Sequence, residues 1–218
     1  MRPAALLWDM DGLLVDSEPL WSVAETELAH RLGGVFTDAL KAQIVGTRLE
    51  VAVPVILRWY GHPDDPGEVT ATSAWLLNRM VELFAVGPPL MPGAADLLAA
   101  CAAAGTPMAL VSSSYRVLVD AVLAHGLGPF AVSIAGDEVA RGKPDPLPYL
   151  EAARRLGVDA ADCLVLEDSP SGAASGLAAG CRVVAVPSVA GVVFPAHERL
   201  AVLGSLGALA GLASGGLT

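Results

Sequence analysis

Lysine is scarce in this sequence. Among 218 residues only Lys41 and Lys143 are lysines, and the formal net charge is −10 at pH 7. This excess of negative charge argues against nucleic acid and anionic membrane as partners, because both repel an acidic surface. An anionic substrate would therefore have to be bound by positive charge concentrated at one place in the fold.

Cysteine is also rare. Cys101, Cys163 and Cys181 are far apart and odd in number, so they match neither a disulfide framework nor the spacing of a structural zinc site. We predict buried thiols in a reducing cytoplasm. We expect no signal peptide, because the first apolar run begins at residue 4 and has the length of a strand.

One stretch near the C-terminus lacks charge altogether. Residues 200–217 carry no charged side chain and would be long enough to cross a membrane. They nevertheless contain five glycines and two serines, without flanking basic clusters or an aromatic belt. We therefore predict a final strand and a short docking helix here.

The second half of the chain alternates between two patterns. From residue 92 to residue 186, short apolar runs alternate with helical periodicity, which predicts a parallel sheet with right-handed crossovers. Residues 17–87 show helical periodicity and no strand pattern. We predict an α/β fold in which an all-helical cap domain, 17–87, is inserted into a Rossmann-like parallel-sheet core formed by residues 1–16 and 88–218.

Small residues indicate where helices begin and where they pack closely. Ser17 and Ser114 each precede a helical pattern, so both are predicted as N-caps. Gly172, Gly176 and Gly180 recur every four residues after a predicted strand. This spacing predicts a helix that lies close to the sheet, despite a cost of about 1 kcal/mol for each mid-helix glycine relative to alanine.

Polar side chains gather at one edge of the predicted sheet. At or just past the C-terminal ends of predicted strands lie Asp9, Asp11, Ser112, Lys143, Glu167 and Asp168. Ligands bind at this edge in open α/β sheets. Scattered surface residues would not sort to one edge, so this set predicts a functional site.

Asp9 and Asp11 directly follow the first apolar run. If the chain stays extended there, both side chains leave the same face. Two adjacent carboxylates repel each other unless a metal ion or a proton offsets one charge. Taken alone, the pair is equally consistent with a site and with a turn formed by Asp11-Gly12. The other polar residues at the same edge favour the site.

The predicted carboxylates suit a Mg²⁺ ion. Asp9 and Asp168 can supply hard oxygen ligands, with Glu167 as a further ligand or as a supporting group, and Mg²⁺ binds one or two carboxylates together with water and phosphate oxygens. Lys143 and such an ion would provide the local positive charge that an anionic phosphate requires.

The same edge suits phosphoryl transfer. Asp9 could attack phosphorus and form an aspartyl-phosphate. Asp11 could protonate the leaving oxygen and later deprotonate the attacking water. Lys143 and the hydroxyl of Ser112 could hold the equatorial phosphoryl oxygens, whose charge must be stabilised in the transition state.

Four motifs in the chain carry a resemblance to a known superfamily. In order they are Asp9-Met10-Asp11-Gly12, Ser112 after Met108-Ala109-Leu110-Val111, Gly142-Lys143-Pro144-Asp145-Pro146, and Glu167-Asp168-Ser169. Over essentially its whole length the chain resembles the haloacid dehalogenase superfamily, in the branch with a helical cap after the first strand. The resemblance implies Asp9 as nucleophile, Asp11 as acid/base, and Mg²⁺ held by Asp9, Asp168 and the backbone carbonyl of Asp11.

Asp11 and Trp21 separate branches of this superfamily. Its dehalogenases and phosphonatases do not place an aspartate two residues after the nucleophile, which disfavours dehalogenation. Beta-phosphoglucomutases carry a histidine where Trp21 stands, and an indole cannot shuttle a proton. The chain is more similar to sugar-phosphate phosphatases such as 2-deoxyglucose-6-phosphate phosphatase. A phosphomutase and a catalytically silent binding or regulatory protein are the alternatives.

Substrate-binding residues are predicted mainly in the cap, because a closing cap excludes water from the reaction. The candidates are Glu18, Trp21, Thr47, Arg48 and Arg79, together with Ser113 of the core. Arg48 lies in the segment Gly46-Thr47-Arg48, where relatives contact substrate. Solvated helix charge is the alternative interpretation of both arginines, and Glu18 could equally be an ordinary first-turn charge near the helix dipole. We expect a monomer that binds a small phosphorylated metabolite.

Overall fold

The computed structural model describes residues 2–45 and 47–209. The chain divides into two compact units. The core unit contains the residues up to Ser17 and those from Gly87 onward, and the helical unit contains Glu18–Val86. Gly46 and the part of the predicted C-terminal helix beyond Leu209 lie outside the described residues. Within those residues, no helix combines the length and apolarity that crossing a membrane requires.

The helical unit contains four α-helices among its described residues. They are α1 (Glu18–Arg31), α2 (Asp38–Ile44), α3 (Leu49–Trp59) and α4 (Pro66–Ala85). Asp65 caps α4 by accepting hydrogen bonds from the backbone amides of Gly67 and Glu68, and Pro66 occupies the first turn. Helices α1 and α3 both contact α4, so the longest helix organises this unit.

The core unit is built on a six-stranded sheet whose order is β3-β2-β1-β4-β5-β6. The strands are β1 (Leu6–Trp8), β2 (Met108–Val111), β3 (Phe130–Ile134), β4 (Leu164–Glu167), β5 (Arg182–Ala185) and β6 (Leu200–Val202). Every neighbouring pair is parallel. The predicted α/β fold with a parallel-sheet core is therefore confirmed.

Strand β1 lies in the middle of the sheet, with Leu7 paired to Ala109 of β2 and to Val165 of β4. From β1 the chain builds outward through β2 to β3. It then returns to the other side of β1 and builds outward through β4 to β6. This reversal of direction opens a crevice at the C-terminal ends of β1 and β4, where open parallel sheets bind their ligands.

Helices of the core unit connect the strands. They are α5 (Ala94–Ala103), α6 (Arg116–Leu123), α7 (Leu147–Leu156) and α8 (Pro170–Ala178), with short 3₁₀ helices at Ala160–Asp162 and Leu206–Leu209. Strand β6 and the second 3₁₀ helix lie where the sequence predicted a final strand and a short docking helix. Leu206 and Leu209 are buried, as docking requires.

Helix α8 packs closely against the sheet at two of its predicted glycines. A Cβ atom at Gly176 would lie 3.0 Å from the side chain of Val183, and one at Gly172 would lie 1.7 Å from Oε1 of Glu167. The predicted close packing is confirmed at these two positions. Gly180 is not closely packed; it follows the helix at a φ of +91° and ends it.

Candidate active site

Three acidic residues lie at the C-terminal ends of two adjacent strands. Asp9 directly follows β1, Glu167 is the last residue of β4, and Asp168 follows it. The backbone amide of Asp9 donates to the carbonyl of Leu166 at 2.9 Å, so parallel pairing continues up to the acidic residues. One carboxylate oxygen from each of the three lies within 4.8 Å of the others.

Lys143 reaches these carboxylates from the loop between β3 and α7. Its ammonium nitrogen, Nζ, donates to Oδ1 of Asp9 at 2.5 Å, to Oε1 of Glu167 at 2.7 Å and to the carbonyl of Val111 at 2.9 Å. Only 5% of the side chain is exposed. Lys143 therefore provides positive charge at one place in the fold, as the acidic composition led us to expect for an anionic substrate. It lies beside Asp9 and Glu167, two of the predicted site carboxylates.

Five hydrogen bonds surround the completely buried carboxylate of Glu167. Oε1 accepts from Nζ of Lys143 and the hydroxyl of Tyr149, and Oε2 accepts from the amides of Asp168 and Ser169 and the hydroxyl of Ser169. Buried carboxylates are tolerated only with such partners. Tyr149 and Ser169 were not predicted as site residues.

Burial dominates the electrostatics of Asp9. It raises the pKa of Asp9 well above the usual value; Lys143 opposes this shift, and the carboxylates of Glu167, Asp168 and Asp11 reinforce it. Burial alone would lower the pKa of Lys143, but Asp9 and Glu167 outweigh it and raise that pKa. Lys143 thus stays charged, while the excess of negative charge around Asp9 calls for a second cation.

Asp168 is supported by residues on two other loops. Burial raises the pKa of Asp168 to about 6, although a hydrogen bond from the hydroxyl of Ser188 opposes the shift. That hydroxyl donates to Oδ2 at 2.6 Å. A Cβ atom at Gly12 would lie 2.2 Å from the same oxygen, so only glycine fits there. Ser188 was not predicted as a site residue, because the only feature of the sequence that indicated the site was its position after β5.

The three carboxylates fit the predicted metal ion. Their oxygens are hard donors, they converge within 4.8 Å, and the raised pKa values of Asp9 and Asp168 show that added positive charge would be favourable. Because Glu167 already receives five hydrogen bonds, Asp9 and Asp168 are the more available ligands.

Three serine hydroxyls hold the carboxylate of Asp11. Oδ1 accepts from Ser17 at 2.7 Å, and Oδ2 accepts from Ser112 at 3.1 Å and from Ser114 at 2.8 Å. The prediction of Ser114 as an N-cap is wrong, because α6 begins later and Tyr115 occupies its cap position. Ser17 does precede α1, but the bond from its hydroxyl to Asp11 was not predicted.

The loop after β2 also contains Ser113. This residue, predicted to bind substrate, is exposed, and a Cβ atom at Gly136 would lie 2.1 Å from its carbonyl oxygen. The backbone amide of Gly136 donates to the carbonyl of Ser114 at 2.8 Å. Two loops of the core unit are thus fastened together beside Asp11.

Three candidates of the helical unit lie near the start of α1 or after α2. Glu18 lies 3.3 Å from the ammonium of Lys41, and Trp21 is half-buried on α1. The hydroxyl of Thr47 donates to the carbonyl of Ile44 at 2.7 Å, a local turn contact. Their substrate contacts stay predictions.

The two candidate arginines of the helical unit differ in their surroundings. The guanidinium of Arg79 donates two hydrogen bonds to Glu27 and one to Glu82. Structural ion pairs therefore account for Arg79 without a substrate, which weakens its predicted role. Arg48 occupies the N-cap position of α3, is exposed, and lies 3.9 Å from Glu50. Its predicted role is unchanged.

Comparison with known proteins decides the family. Over residues 3–180 the sequence matches the haloacid dehalogenase-like hydrolases. The chain belongs to this family. The resemblance carried by the four motifs is thereby confirmed, and the family also accounts for the α/β architecture of the core unit.

Several known proteins are similar to this chain. Hexitol phosphatase A of Escherichia coli (strain K12) is 35% identical over 85% of this chain and 84% of its own length. The bifunctional riboflavin kinase/FMN phosphatase of Arabidopsis thaliana is 32% identical over 85% of this chain, which spans 49% of that longer protein. A mutant of CbbY from Rhodobacter sphaeroides in complex with xylulose-(1,5)bisphosphate superimposes with a TM-score of 0.80 at 29% identity, covering 95% of this chain and 96% of CbbY.

Proposed function

We propose that this protein is a Mg²⁺-dependent phosphatase that hydrolyses a small phosphorylated metabolite, a sugar phosphate, through an aspartyl-phosphate on Asp9. The similarity of the chain to a hexitol phosphatase and to CbbY, solved in complex with a sugar bisphosphate, supports the substrate class. One observation carries the proposal: the ammonium of Lys143 lies 2.5 Å from Asp9 at the C-terminal edge of the sheet, with Asp11 two residues further on.

Phosphoryl transfer begins at Asp9. A carboxylate oxygen of Asp9 attacks phosphorus, and the bond from phosphorus to the sugar oxygen breaks. Asp11 gives its proton to that leaving oxygen. Lys143, fixed in place by Glu167 and the carbonyl of Val111, stabilises the charge that develops on the phosphoryl oxygens.

Hydrolysis of the intermediate restores the site. Asp11, now a carboxylate, takes a proton from water, and the water oxygen attacks phosphorus. The bond from phosphorus to Asp9 breaks, which releases inorganic phosphate and leaves Asp11 protonated for the next cycle. The hydroxyl of Ser112 is proposed to donate to a phosphoryl oxygen in both steps.

Asp9, Asp168 and the backbone carbonyl of Asp11 are the residues proposed to hold Mg²⁺. When bound, Mg²⁺ would supply positive charge that neutralises the phosphate and lets the carboxylates coexist. Glu167 is proposed to support Lys143 rather than to bind the ion directly, because both of its oxygens already accept hydrogen bonds.

The helical unit is proposed to act as a cap that supplies the substrate contacts of Arg48, Thr47, Trp21 and Glu18. The core unit is proposed to add a contact from Ser113. A monomeric state, a cytoplasmic location and the lack of a nucleic-acid partner stay predictions from the sequence.

Phosphate release from the full chain tests the proposal. The substrates are hexose, hexitol and pentose phosphates and nucleoside monophosphates, each assayed with Mg²⁺ and with a chelator. Asp9→Asn is compared with Asp96→Asn, which changes an exposed aspartate of α5. We expect release with Mg²⁺, none with chelator, none from Asp9→Asn and full activity from Asp96→Asn.

Three results would contradict the proposal. Full activity of Asp9→Asn would exclude the covalent intermediate on this residue. Interconversion of hexose phosphates without phosphate release would instead identify a phosphomutase. A protein that released phosphate from no substrate with Mg²⁺ would fit a catalytically silent member of the family, although the presence of Asp9, Asp11, Lys143 and Asp168 argues against this.

A further inference from the structure

We propose that Ser114 is a positioning residue for proton transfer, whose hydroxyl fixes the carboxyl group of Asp11 toward the leaving group. This inference rests on the proposed function, since it concerns the step in which Asp11 protonates the leaving oxygen. It assigns a role in the reaction to a serine that the sequence pattern predicted to be a helix N-cap.

The contact is short and specific. The hydroxyl of Ser114 donates to Oδ2 of Asp11 at 2.8 Å, across 103 positions of sequence. Ser112 donates to the same oxygen at the longer distance of 3.1 Å, and Ser17 donates to Oδ1. Of the two hydroxyls on Oδ2, that of Ser114 is the closer.

The backbone of Ser114 is held on both sides. Its amide donates to the hydroxyl oxygen of Ser112 at 2.9 Å, and its carbonyl accepts from the amide of Gly136 at 2.8 Å. Gly136 cannot carry a side chain there, because a Cβ atom would lie 2.1 Å from the carbonyl oxygen of Ser113. A side chain that leaves such a fixed backbone can orient its partner, whereas one on a mobile loop could not.

Substrate binding increases the importance of this contact. Under the proposed function the hydroxyl of Ser112 donates to a phosphoryl oxygen, so it is no longer available to Asp11. Ser114 is then the remaining donor to Oδ2. Loss of its hydroxyl would leave that oxygen without either of its two serine partners during leaving-group departure.

The need for an acid depends on the leaving group. A sugar alkoxide is a strong base and leaves poorly without a proton, whereas p-nitrophenolate is a much weaker base and leaves without one. An Asp11 that is badly oriented should therefore slow the alkyl ester and spare the aryl ester. Weaker phosphoryl binding or partial unfolding would slow both esters equally.

The experiment compares kcat/KM for a hexitol phosphate and for p-nitrophenyl phosphate, each with Mg²⁺. This ratio reports the steps up to leaving-group departure. The variants are Ser114→Ala, Ser114→Thr, which keeps the hydroxyl, and Ser205→Ala, which changes an exposed serine of the core unit outside the site.

For Ser114→Ala we expect kcat/KM to fall about 10-fold or more for the hexitol phosphate and less than about 3-fold for p-nitrophenyl phosphate, because general acids contribute about 10²- to 10⁴-fold. Ser114→Thr should recover most of the loss, and Ser205→Ala should match the unmodified protein. An equal loss on both esters, or no loss on the hexitol phosphate, would overturn the inference. If the unmodified protein released phosphate from neither ester, the proposed function itself would fail.

Discussion

The hydroxyl of Tyr149 donates a hydrogen bond of 2.7 Å to Oε1 of Glu167, and neither side chain is exposed to solvent. The ammonium of Lys143 donates to the same oxygen and lies 5.1 Å from the centre of the Tyr149 ring. Tyr149 therefore contacts both charged neighbours of Asp9, with its hydroxyl on one and its ring beside the other.

Removing this hydroxyl should destabilise the core unit. We expect Tyr149→Phe to lower the free energy of unfolding by about 1–2 kcal/mol, because a buried hydrogen bond to a charged group is lost while the ring and its contact with Lys143 remain. Urea denaturation measures the change.

Tyr60→Phe is the matched control for Tyr149→Phe. The hydroxyl of Tyr60 donates to the carbonyl of Val35 at an exposed place in the helical unit, so its loss should cost less than about 0.5 kcal/mol. Equal losses of unfolding free energy in the two variants would show that the hydrogen bond to Glu167 stabilises the fold no more than the exposed one does.

In Gly172→Ala, helix propensity and steric overlap change the free energy of unfolding in opposite directions. Alanine is favoured over glycine in a helix by about 0.5–1 kcal/mol, so helix propensity alone would make Gly172→Ala stabilising. The new Cβ atom would instead lie 1.7 Å from Oε1 of Glu167. We expect a net loss of about 1–3 kcal/mol, as in other overpacked sites, measured by thermal or urea unfolding.

A glycine with space around it provides the comparison for Gly172→Ala. No heavy atom lies within 4 Å of a Cβ atom at Gly204, apart from its own neighbours, and its φ is negative or extended. Gly204→Ala should leave stability nearly unchanged. A Gly172→Ala protein more stable than the unmodified chain would contradict the close approach of α8 to Glu167.

Glu25 predicts a pH dependence within the helical unit. Among the described residues its Oε2 is a buried oxygen without a hydrogen-bond partner. Burial raises the pKa of Glu25 from 4.5 to about 7; Lys41 opposes the shift and Glu18 adds to it. A carboxyl group whose pKa is higher in the folded state favours folding most when protonated, so its contribution is lost as the pH rises from 4.5 through about 7.

Glu25→Gln should remove this pH dependence. The variant should gain about 1–2 kcal/mol of stability relative to the unmodified chain well above pH 7, a figure reduced for partial exposure, and gain little below pH 4.5. Unfolding measured across this range tests the difference, with Glu68→Gln, an exposed glutamate of α4, as control. A difference between the Glu25→Gln variant and the unmodified chain that does not change with pH would contradict the assignment.

Local patterns predicted the fold well where a segment's own residues determine it. Helix α7, Leu147–Leu156, is an example: it ends where the sequence has Gly157, which adopts the left-handed conformation that glycine favours. The first strand and the carboxylates after it were also predicted correctly, since a short apolar run ends abruptly at Asp9. Local patterns did not predict contacts between residues that are far apart in the sequence.

Ser114 and Tyr149 show what such patterns cannot provide. A serine just before a helical pattern is typical of an N-cap, and only the folded loop reveals that Ser114 donates to Asp11 instead. Tyr149 fits the apolar face of α7, so its sequence position indicates a core residue. Its partner Glu167 is the last residue of strand β4, and no periodicity links this residue to a residue of α7.

Direct detection of a phosphoryl group on Asp9 tests the proposed aspartyl-phosphate mechanism. The full chain with Mg²⁺ is mixed with a hexitol phosphate, quenched in acid within milliseconds, digested and examined by mass spectrometry. We expect a hydroxylamine-sensitive phosphoryl group on the peptide that contains Asp9, and none in the Asp9→Asn protein. Turnover by the unmodified protein with no phosphoryl group at Asp9 at any quench time, together with an Asp9→Asn variant that keeps full activity, would contradict this mechanism.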